Sequence, residues 1–301
     1  MIVITADVGG TKTSVAITNG DERLSQVIGP GAAVRPGRAL ASATIVAGLM
    51  RSALAQTKLL QADAVVIGAA GAGRATDAEE MRIAVARERI ADRVVVVSDV
   101  ALALEALGLD VAVVLVAGTG SVAMGRAPGG TPVRQGGYGW QMGDEGGGYW
   151  IGQQALRAAG LAHDGRGPAT TLLTALMQAT GVGALRDLVG WSTIASAREV
   201  ANLSRGVVSA AASGDAVAAG ILDQAAAALA QLVNQLAEQF GSASAVPVGF
   251  TGGLVGPDGP LQHRVTGLID APFVPRAAPL DPLLGGPRLA RQDGERNPIR
   301  L

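Results

Sequence analysis

The sequence predicts an α/β protein built from two lobes with a ligand-binding cleft between them. Short apolar runs typical of strands alternate along the chain with stretches of helical spacing. One pattern occurs twice: a strand, a glycine turn and a second strand are spelled by VITADVGGTKTSVAI near the N-terminus and again by VVLVAGTGSVAMG. With 301 residues and 49% hydrophobic composition, the chain is long enough to bury a core in each lobe.

The first part of the chain predicts a sheet with interspersed helices. IVITADVGGTKTSVAIT indicates strand, turn and strand, and LSQVIG indicates a third strand. Residues 38–57 and 77–90 have helical spacing, with the strand ADAVVIGAAGAG between them. RVVVVSD is apolar enough for a strand buried on both faces. VALALEAL then predicts a helix whose N-cap is Ser98 or Asp99.

The second part repeats this beginning and continues with alanine-rich helices. The longest helical pattern covers residues 215–240, VPVGFTGGLVG is a strand that ends in glycines, residues 261–269 predict a helix and PFVP a short strand. We therefore expect an N-terminal lobe at 1–117 and a C-terminal lobe at 118–301. The last helix, at 281–291, is expected to pack back on the N-terminal lobe.

Composition excludes several classes of function. The net charge is −1 and no Lys/Arg cluster occurs, so we expect no nucleic-acid partner. The absence of cysteine excludes thiolate zinc sites, iron–sulfur clusters and Cys nucleophiles, and two histidines are too few for a His-rich metal site. The N-terminus lacks the basic region of a signal peptide, and we expect no apolar run near the ~20 residues of a membrane helix. These features predict a cytoplasmic protein without a membrane partner.

The first glycine turn, Asp7-Val8-Gly9-Gly10-Thr11-Lys12-Thr13, has the residue types of a phosphate-binding loop. Glycines let backbone N–H groups approach an anion, while the Thr hydroxyls and the Lys charge add further ligands. Asp7, at the end of a strand, is suited to hold Mg²⁺ through water. The alternative is a tight hairpin with an exposed lysine. A Walker A loop is excluded because Thr11 stands between the glycine and the lysine.

Three further sites have two interpretations each. Gly118-Thr119-Gly120-Ser121 is a plain hairpin or a second phosphate loop, which its match to the first turn favours. Asp99 is a helix cap or a general base at the C-terminal end of a strand, where open α/β sheets bind ligands. Gly252-Gly253 is an ordinary turn or a surface on which a ring or ribose rests.

The stretch GGYGWQMGDEGGGYWIG, residues 136–152, gathers both tyrosines and two of the three tryptophans. We expect Tyr149 and Trp150 to lie on a helix and pack it against the core. We expect Glu145 to cap that helix rather than bind a ligand.

In order, DVGGTKT, GAAGAG, VVSD, AGTGS, the aromatic stretch and FTGG make the chain resemble the BadF/BadG/BcrA/BcrD ATPase family. More narrowly, it looks like the N-acetylglucosamine kinase-like members of that family. The resemblance implies two ribonuclease H-like lobes, as in actin-like ATPases, that close on MgATP and a sugar. It also implies a homodimer, by analogy with relatives.

The resemblance assigns roles to individual residues. Asp99 would be the general base, and Asp7 would position Mg²⁺. ATP would contact Gly9, Gly10, Thr11, Lys12, Thr13, Gly118, Thr119, Gly120, Ser121, Gly252 and Gly253. The sugar would contact Ala70, Gly71, Asp99, Thr119, Gly137, Tyr138 and Asp144.

One departure concerns the sugar. Kinases of this type often carry an Asn shortly after the third strand, where this chain has Ala32-Ala33, and Arg35 is a candidate to fill part of that pocket. The main function expected is phosphoryl transfer from MgATP to an amino sugar, N-acetylglucosamine or glucosamine. The alternative is a BadF-type ATPase, or a degenerate ATP-binding regulator without turnover. The iron–sulfur activators of the family need cysteines that are absent here.

Overall fold

The computed structural model describes residues 1–20 and 22–296, which form two compact units. The first comprises Met1–Ala112 with the C-terminal segment from Leu280, and the second is Val113–Pro279. The strands are β1 Ile2–Val8, β2 Lys12–Asn19, β3 Glu22–Pro30, β4 Ala62–Ala69, β5 Ala91–Ser98, β6 Ala112–Ala117, β7 Ser121–Arg126, β8 Val133–Gly136, β9 Val246–Thr251 and β10 Phe273–Pro275. The helices are α1 Ala39–Ala55, α2 Ala75–Ala86, α3 Asp99–Ala106, α4 Gly148–His163, α5 Leu172–Thr180, α6 Leu185–Ile194, α7 Ala197–Asn202, α8 Ser204–Ala212, α9 Ala216–Asn234, α10 Gln262–Thr266 and α11 Gly285–Arg296.

The two units have sheets of the same plan. The first sheet has the order β3-β2-β1-β4-β5 and the second has the order β8-β7-β6-β9-β10. In each sheet, the strand that comes first in the chain, β1 or β6, lies in the middle. The next two strands of the chain lie on one side of it, and two strands from later in the chain lie on the other. The repeated strand, turn and strand of the sequence is therefore the beginning of two sheets with the same topology, and the predicted α/β class is confirmed.

Side-chain alternation along β1 sends residues to two different cores. Ile4, Ala6 and Val8 face the core that α1 and α2 cover, while Val3 faces a smaller core with Leu102 of α3 and Ala290 of α11. Helices thus cover both faces of β1, and its residues before Asp7 are apolar except for Thr5.

Strand β5 differs from its prediction. We expected RVVVVSD to be buried on both faces, but β5 is the edge strand of the first sheet and is half-buried along most of its length. The run of valines predicts a strand correctly, yet it does not reveal the position of that strand in the sheet.

The C-terminal segment packs closely on β1 and α3. A Cβ placed on Gly286 would lie 1.8 Å from Oγ1 of Thr5, and one on Gly285 would lie 2.2 Å from the carbonyl oxygen of Leu102. The Thr5 hydroxyl is buried and has no hydrogen-bond partner among the described residues. Glycine at both positions thus lets the start of α11 approach the strand that carries Asp7 and the helix that begins at Asp99.

One apolar stretch corrects the expectation about membrane helices. Within the described part of the chain, only Ala216–Phe240 is long and apolar enough to cross a membrane by length and composition. A core helix of a soluble protein passes the same test, and here the buried face of α9 packs against α4 and α8. Helix α9 is apolar over its length because it is rich in alanine and contains few charged residues.

Candidate functional site

The first glycine turn joins β1 to β2 and is held by the segment that follows β3. The N–H of Gly9 donates to the carbonyl of Lys12 (3.0 Å), while Gly31 donates to Thr11 (3.1 Å) and Ala32 to Gly9 (3.1 Å). A Cβ on Gly31 would lie 2.2 Å from the Gly10 carbonyl oxygen, so glycine is needed for this close approach. The turn is therefore braced from outside by backbone hydrogen bonds.

The predicted sugar loop after β4 lies at the same edge of this sheet. Ala70 donates its N–H to the carbonyl of Val8 (2.8 Å), and Val34 donates to Ala70 (2.8 Å). Gly71 has a φ of +86°, and a Cβ there would lie 2.0 Å from the Val34 carbonyl oxygen. The segment that carries Ala32-Ala33 in place of the expected Asn thus contacts the Ala70–Gly71 loop through its backbone.

Asp7 is the electrostatically unusual residue of the first unit. Burial, together with the negative charges of Asp99 and Asp281, raises the pKa of Asp7 from its ordinary 3.8 to about 7, and the positive charge of Lys12 opposes this shift. The structure thus brings Asp7 and Asp99 close enough for one charge to act on the other. A buried carboxylate with two acidic neighbours is a site that a cation would stabilise.

The helix-cap interpretation of Asp99 is weakened by its neighbour. Ser98 is the N-cap of α3, and its hydroxyl accepts a hydrogen bond from the N–H of Ala101 (3.3 Å). Asp99 is the first helical residue, and its carboxylate accepts from the N–H of Val100 (3.0 Å). Because Ser98 already supplies the cap, α3 does not need an acidic residue at position 99 for that purpose.

Asp281 is a residue of this site that the sequence analysis did not select. It begins a 3₁₀ turn at Pro282–Leu284, accepts from the N–H of Leu283 (3.1 Å) and forms an ion pair with Arg23 of β3. The 3₁₀ turn contacts β1, β2 and α3. Asp-Pro at a helix start signals a cap in the sequence, but only the fold shows that this cap lies near Asp7.

The second glycine turn, between β6 and β7, is bound to the start of α4. The N–H of Gly148 donates to the carbonyl of Gly118 (2.8 Å), and Tyr149 donates to Thr119 (3.0 Å). The Ser121 hydroxyl donates to the carbonyl of Glu145 (2.7 Å) and is buried. These contacts occupy the Ser121 hydroxyl, which the sequence analysis assigned to a phosphate, and the carbonyl oxygens of Gly118 and Thr119. A Cβ on Gly118 would meet no atom within 4 Å, so open space lies beside its backbone.

Asp144 is directed into this second turn. Its Oδ1 accepts from the N–H of Gly139 (3.2 Å), and it also accepts from the N–H of Ser121. Burial raises the pKa of Asp144 above its ordinary value, although these hydrogen bonds oppose the shift. Asp144 has a positive φ of 61°, which places its backbone in the left-handed region. The residue therefore ties the aromatic stretch to the second glycine turn.

The predicted cap of α4 is wrong. We expected Glu145 to cap this helix, but Gly147 is the N-cap, no side chain caps it and Glu145 is exposed. The first N–H groups of α4 are satisfied by the glycine turn instead, so no acidic cap is required.

The aromatic residues of 136–152 divide into two groups. Trp140 packs on Tyr149 of α4, with ring centroids 4.8 Å apart, and Trp150 is half-buried on the same helix. Tyr138 and Met142 are 71% and 81% exposed, so their apolar surfaces face outward. The helix residues support the loop, and Tyr138 is left available to a ligand.

Gly252 and Gly253 follow β9 beside the second turn. Gly252 has a φ of +98°, and a Cβ on it would lie 2.3 Å from the carbonyl oxygen of Ala117. A Cβ on Gly253 would meet no atom within 4 Å. Gly252 is thus required by packing, whereas the chain itself does not require glycine at 253.

Two positions of the first turn differ from their predicted use. Thr13 is fully buried with no hydrogen-bond partner for its hydroxyl among the described residues, so any contact with a ligand would come from its backbone. Lys12 is exposed. Within the described ranges, no group of three or more His, Asp or Glu side chains is arranged to hold a metal ion.

Two known proteins are similar to this chain over most of its length. An N-acetylmuramic acid/N-acetylglucosamine kinase of Clostridium acetobutylicum is 31% identical over 243 residues, 78% of this chain and 79% of that protein. An N-acetyl-D-glucosamine kinase of Dictyostelium discoideum is 30% identical over 283 residues, 88% of this chain and 89% of that protein.

Solved structures share the fold. The crystal structure of a candidate N-acetylglucosamine kinase from Chromobacterium violaceum aligns with a TM-score of 0.78 at 25% identity, over 96% of this chain and 98% of the other. A ROK family glucokinase from Streptomyces griseus, in complex with glucose and AMPPNP, aligns with a TM-score of 0.62 at 22% identity, over 97% of this chain and 100% of the other. The latter likeness shows the fold alone.

A family model matches residues 6–268, a range that contains both glycine turns, Asp99, the aromatic stretch and FTGG. These are the same segments that the structure places at the ends of the two sheets. The chain belongs to the BadF/BadG/BcrA/BcrD ATPase family.

Proposed function

We propose that this protein is an ATP-dependent sugar kinase that transfers the γ-phosphoryl group of MgATP to a hydroxyl of an N-acetylated amino sugar. The observation that carries the proposal is the 31% identity, over 78% of the chain, to a kinase of N-acetylmuramic acid and N-acetylglucosamine. Within the separate units, the neighbouring carboxylates of Asp7 and Asp99 and the open space beside Gly118 and Gly253 add support, because phosphoryl transfer uses carboxylates and backbone donors of this kind.

ATP would be held mainly by backbone groups. The proposed phosphate contacts are Gly9, Gly10, Thr11, Lys12 and Thr13 in one turn, and Gly118, Thr119, Gly120 and Ser121 in the other. Because Ser121 already donates its hydroxyl to Glu145 and its N–H to Asp144, it would line the phosphate site rather than donate to it. Gly252 and Gly253 are the proposed adenosine contacts. The open space beside Gly118 and Gly253 supports these roles, since neither glycine is explained by packing within the chain.

Mg²⁺ would neutralise charge on the transferring phosphoryl group, and Asp7 is the residue proposed to position it. The fit rests on the raised pKa of Asp7 and on its acidic neighbours, which a divalent cation would offset. With few protein carboxylates at the site, the ion would keep water and phosphate oxygens as its other ligands, as Mg²⁺ commonly does.

Asp99 is the proposed general base. Its carboxylate would take the proton of the sugar hydroxyl while that oxygen bonds to the γ-phosphorus and the bond to the bridging β–γ oxygen breaks, releasing ADP. The neighbouring Asp7 would keep its charge directed at the cation, so the two carboxylates would have different tasks.

The proposed sugar contacts are Ala70, Gly71, Thr119, Gly137, Tyr138 and Asp144. Because the Asp144 carboxylate already accepts two backbone hydrogen bonds, it would use its remaining lone pairs for a sugar hydroxyl. The cytoplasmic location and the homodimer predicted from the sequence stay predictions.

Coupled ADP release over a panel of hexoses and amino sugars tests the proposal. We expect N-acetylated amino sugars to stimulate ADP release well above the rate without sugar. Binding of ATP without stimulation by any sugar would instead identify a regulator.

A further inference from the structure

Arg134 lies on β8 and folds back over the start of the aromatic stretch at residues 136–152. Its Nε donates to the carbonyl oxygen of Gly136 (2.8 Å), and its Nη2 donates to that of Gly137. The guanidinium carbon is 5.8 Å from the centre of the Tyr138 ring. A Cβ on Gly137 would lie 2.7 Å from Nη2, so the glycine makes room for the guanidinium. The positive charge is thus fixed beside Tyr138.

Arg134 forms no ion pair with any carboxylate in the part of the chain that the structure describes. Its charge reaches Asp144, but that carboxylate is directed inward to the N–H groups of Gly139 and Ser121. The hydrogen bonds to the two carbonyl oxygens leave other N–H groups of the guanidinium for a further acceptor. A planar guanidinium with free donors is the group that best recognises a carboxylate.

From this geometry we infer that Arg134 binds a carboxylate on the sugar substrate, so that the protein selects amino sugars with an acidic ether substituent, such as N-acetylmuramic acid. The inference rests on the proposed sugar kinase function and names the substrate class of the same site. Tyr138, whose ring centre lies 5.8 Å from the guanidinium carbon, would contact the sugar face, while Arg134 would contact the acidic substituent.

A purely structural role is the competing explanation, because the same two carbonyl bonds would also fix the loop. It predicts that loss of Arg134 weakens the use of neutral and acidic amino sugars equally. The ratio of kcat/KM for N-acetylmuramic acid to kcat/KM for N-acetylglucosamine separates the two explanations, since a loop defect cancels in that ratio.

The experiment measures that ratio for the wild type, for Arg134→Gln and for Arg198→Gln. Arg198 is a matched control because it is an exposed arginine of the same unit and lies on α7. We expect Arg134→Gln to lower the ratio about 10- to 100-fold, the loss typical of a charge-assisted hydrogen bond. Arg134→Lys should restore part of the ratio, and Arg198→Gln should leave it unchanged.

A second measurement uses the wild-type protein alone and so does not depend on how a variant folds. The carboxamide of N-acetylmuramic acid lacks the charge but keeps the shape, and we expect the acid to have the lower KM by a similar factor. An unchanged ratio in Arg134→Gln, or equal KM values for acid and amide, would overturn the inference. Phosphorylation of N-acetylglucosamine without N-acetylmuramic acid would overturn it too, whereas no phosphorylation of any sugar would overturn the proposed function itself.

Discussion

The carboxylate of Asp144 lies directly against the backbone of Gly120, so that a Cβ placed on Gly120 would come within 2.2 Å of Oδ2. The glycine turn after β6 and the aromatic stretch after β8 are therefore fitted to each other through one carboxylate. A change in the turn at this point should be transmitted to the aromatic stretch, which carries the proposed sugar contacts Gly137 and Tyr138.

Two glycines of this turn should respond differently to alanine. Gly120→Ala collides with Asp144, so we expect a lower melting temperature and a higher KM for sugar. Gly118→Ala meets no atom of the chain within 4 Å, so stability should be kept while the KM for ATP rises about tenfold or more. Thermal unfolding and kinetics check both, with Gly190→Ala on α6 as control, since a Cβ there also meets nothing. An unchanged KM for ATP in Gly118→Ala would contradict the assigned phosphate contact.

Asp99→Asn should lower kcat about 10²- to 10⁴-fold with little change in nucleotide affinity, because the amide cannot take the proton of the acceptor hydroxyl. Steady-state kinetics and nucleotide titration check the two parts. Ser98→Ala is the control: it removes the cap hydrogen bond to Ala101 and should cost about 1 kcal/mol of stability without a comparable loss of kcat. If Asp99→Asn keeps its turnover, Asp99 is not the general base and serves only as a residue of α3.

Asp7→Asn should stabilise the protein in the absence of Mg²⁺ while it removes phosphoryl transfer. The pKa of Asp7 rises from its ordinary 3.8 to about 7 in the folded state, so the folded state holds a proton that the unfolded state has lost. Wild-type stability should therefore fall as pH rises from about 4 to 7 and level off above that. At pH 8 the variant should gain about 1 to 4 kcal/mol in free energy of unfolding.

Denaturant unfolding at pH 5 and pH 8 measures this difference. Asp92→Asn, on the exposed part of β5, is the matched control and should change stability little at either pH. If Asp7→Asn has a lower free energy of unfolding than the wild type at pH 8, burial of the Asp7 charge does not cost stability. The case for a cation beside Asp7 would then lose its support.

Asp215 should be a large contributor to the stability of the second unit. As the N-cap of α9, it accepts from the N–H groups of Val217 and Ala218, both at 3.0 Å, and from Thr170 and Thr171. Burial works to raise the pKa of Asp215, but these hydrogen bonds outweigh it and hold the pKa well below its usual range. Asp215→Ala should lower the free energy of unfolding by about 2 to 4 kcal/mol at pH 7.

The pH dependence of that loss has a definite sign. A depressed pKa stabilises the folded state above the unfolded value, so the difference between wild type and Asp215→Ala should be full above about pH 4 and shrink as pH falls below it. Asp215→Asn, which keeps one acceptor oxygen, should lose less. A difference that grows as pH falls would contradict the assignment of these hydrogen bonds to the ionised carboxylate.

The sequence predicted local elements well and relationships between distant segments poorly. The repeated strand, turn and strand predicted two sheets because hairpins depend on neighbouring residues. The edge position of β5, the charge of Asp281 near Asp7 and the replacement of a Glu145 cap by backbone bonds depend on packing between distant parts of the chain. Arg134 was missed for the same reason: an isolated arginine in a sequence carries no sign of what it contacts.

Transfer of a γ-labelled phosphoryl group from ATP tests the central claim most directly, because it shows where the phosphoryl group goes. With MgATP and N-acetylglucosamine or N-acetylmuramic acid, we expect the label to appear in a sugar phosphate, to depend on Mg²⁺ and to be lost in Asp99→Asn. Label that appears only as inorganic phosphate, or that stays in ATP with every amino sugar tested, would contradict the account.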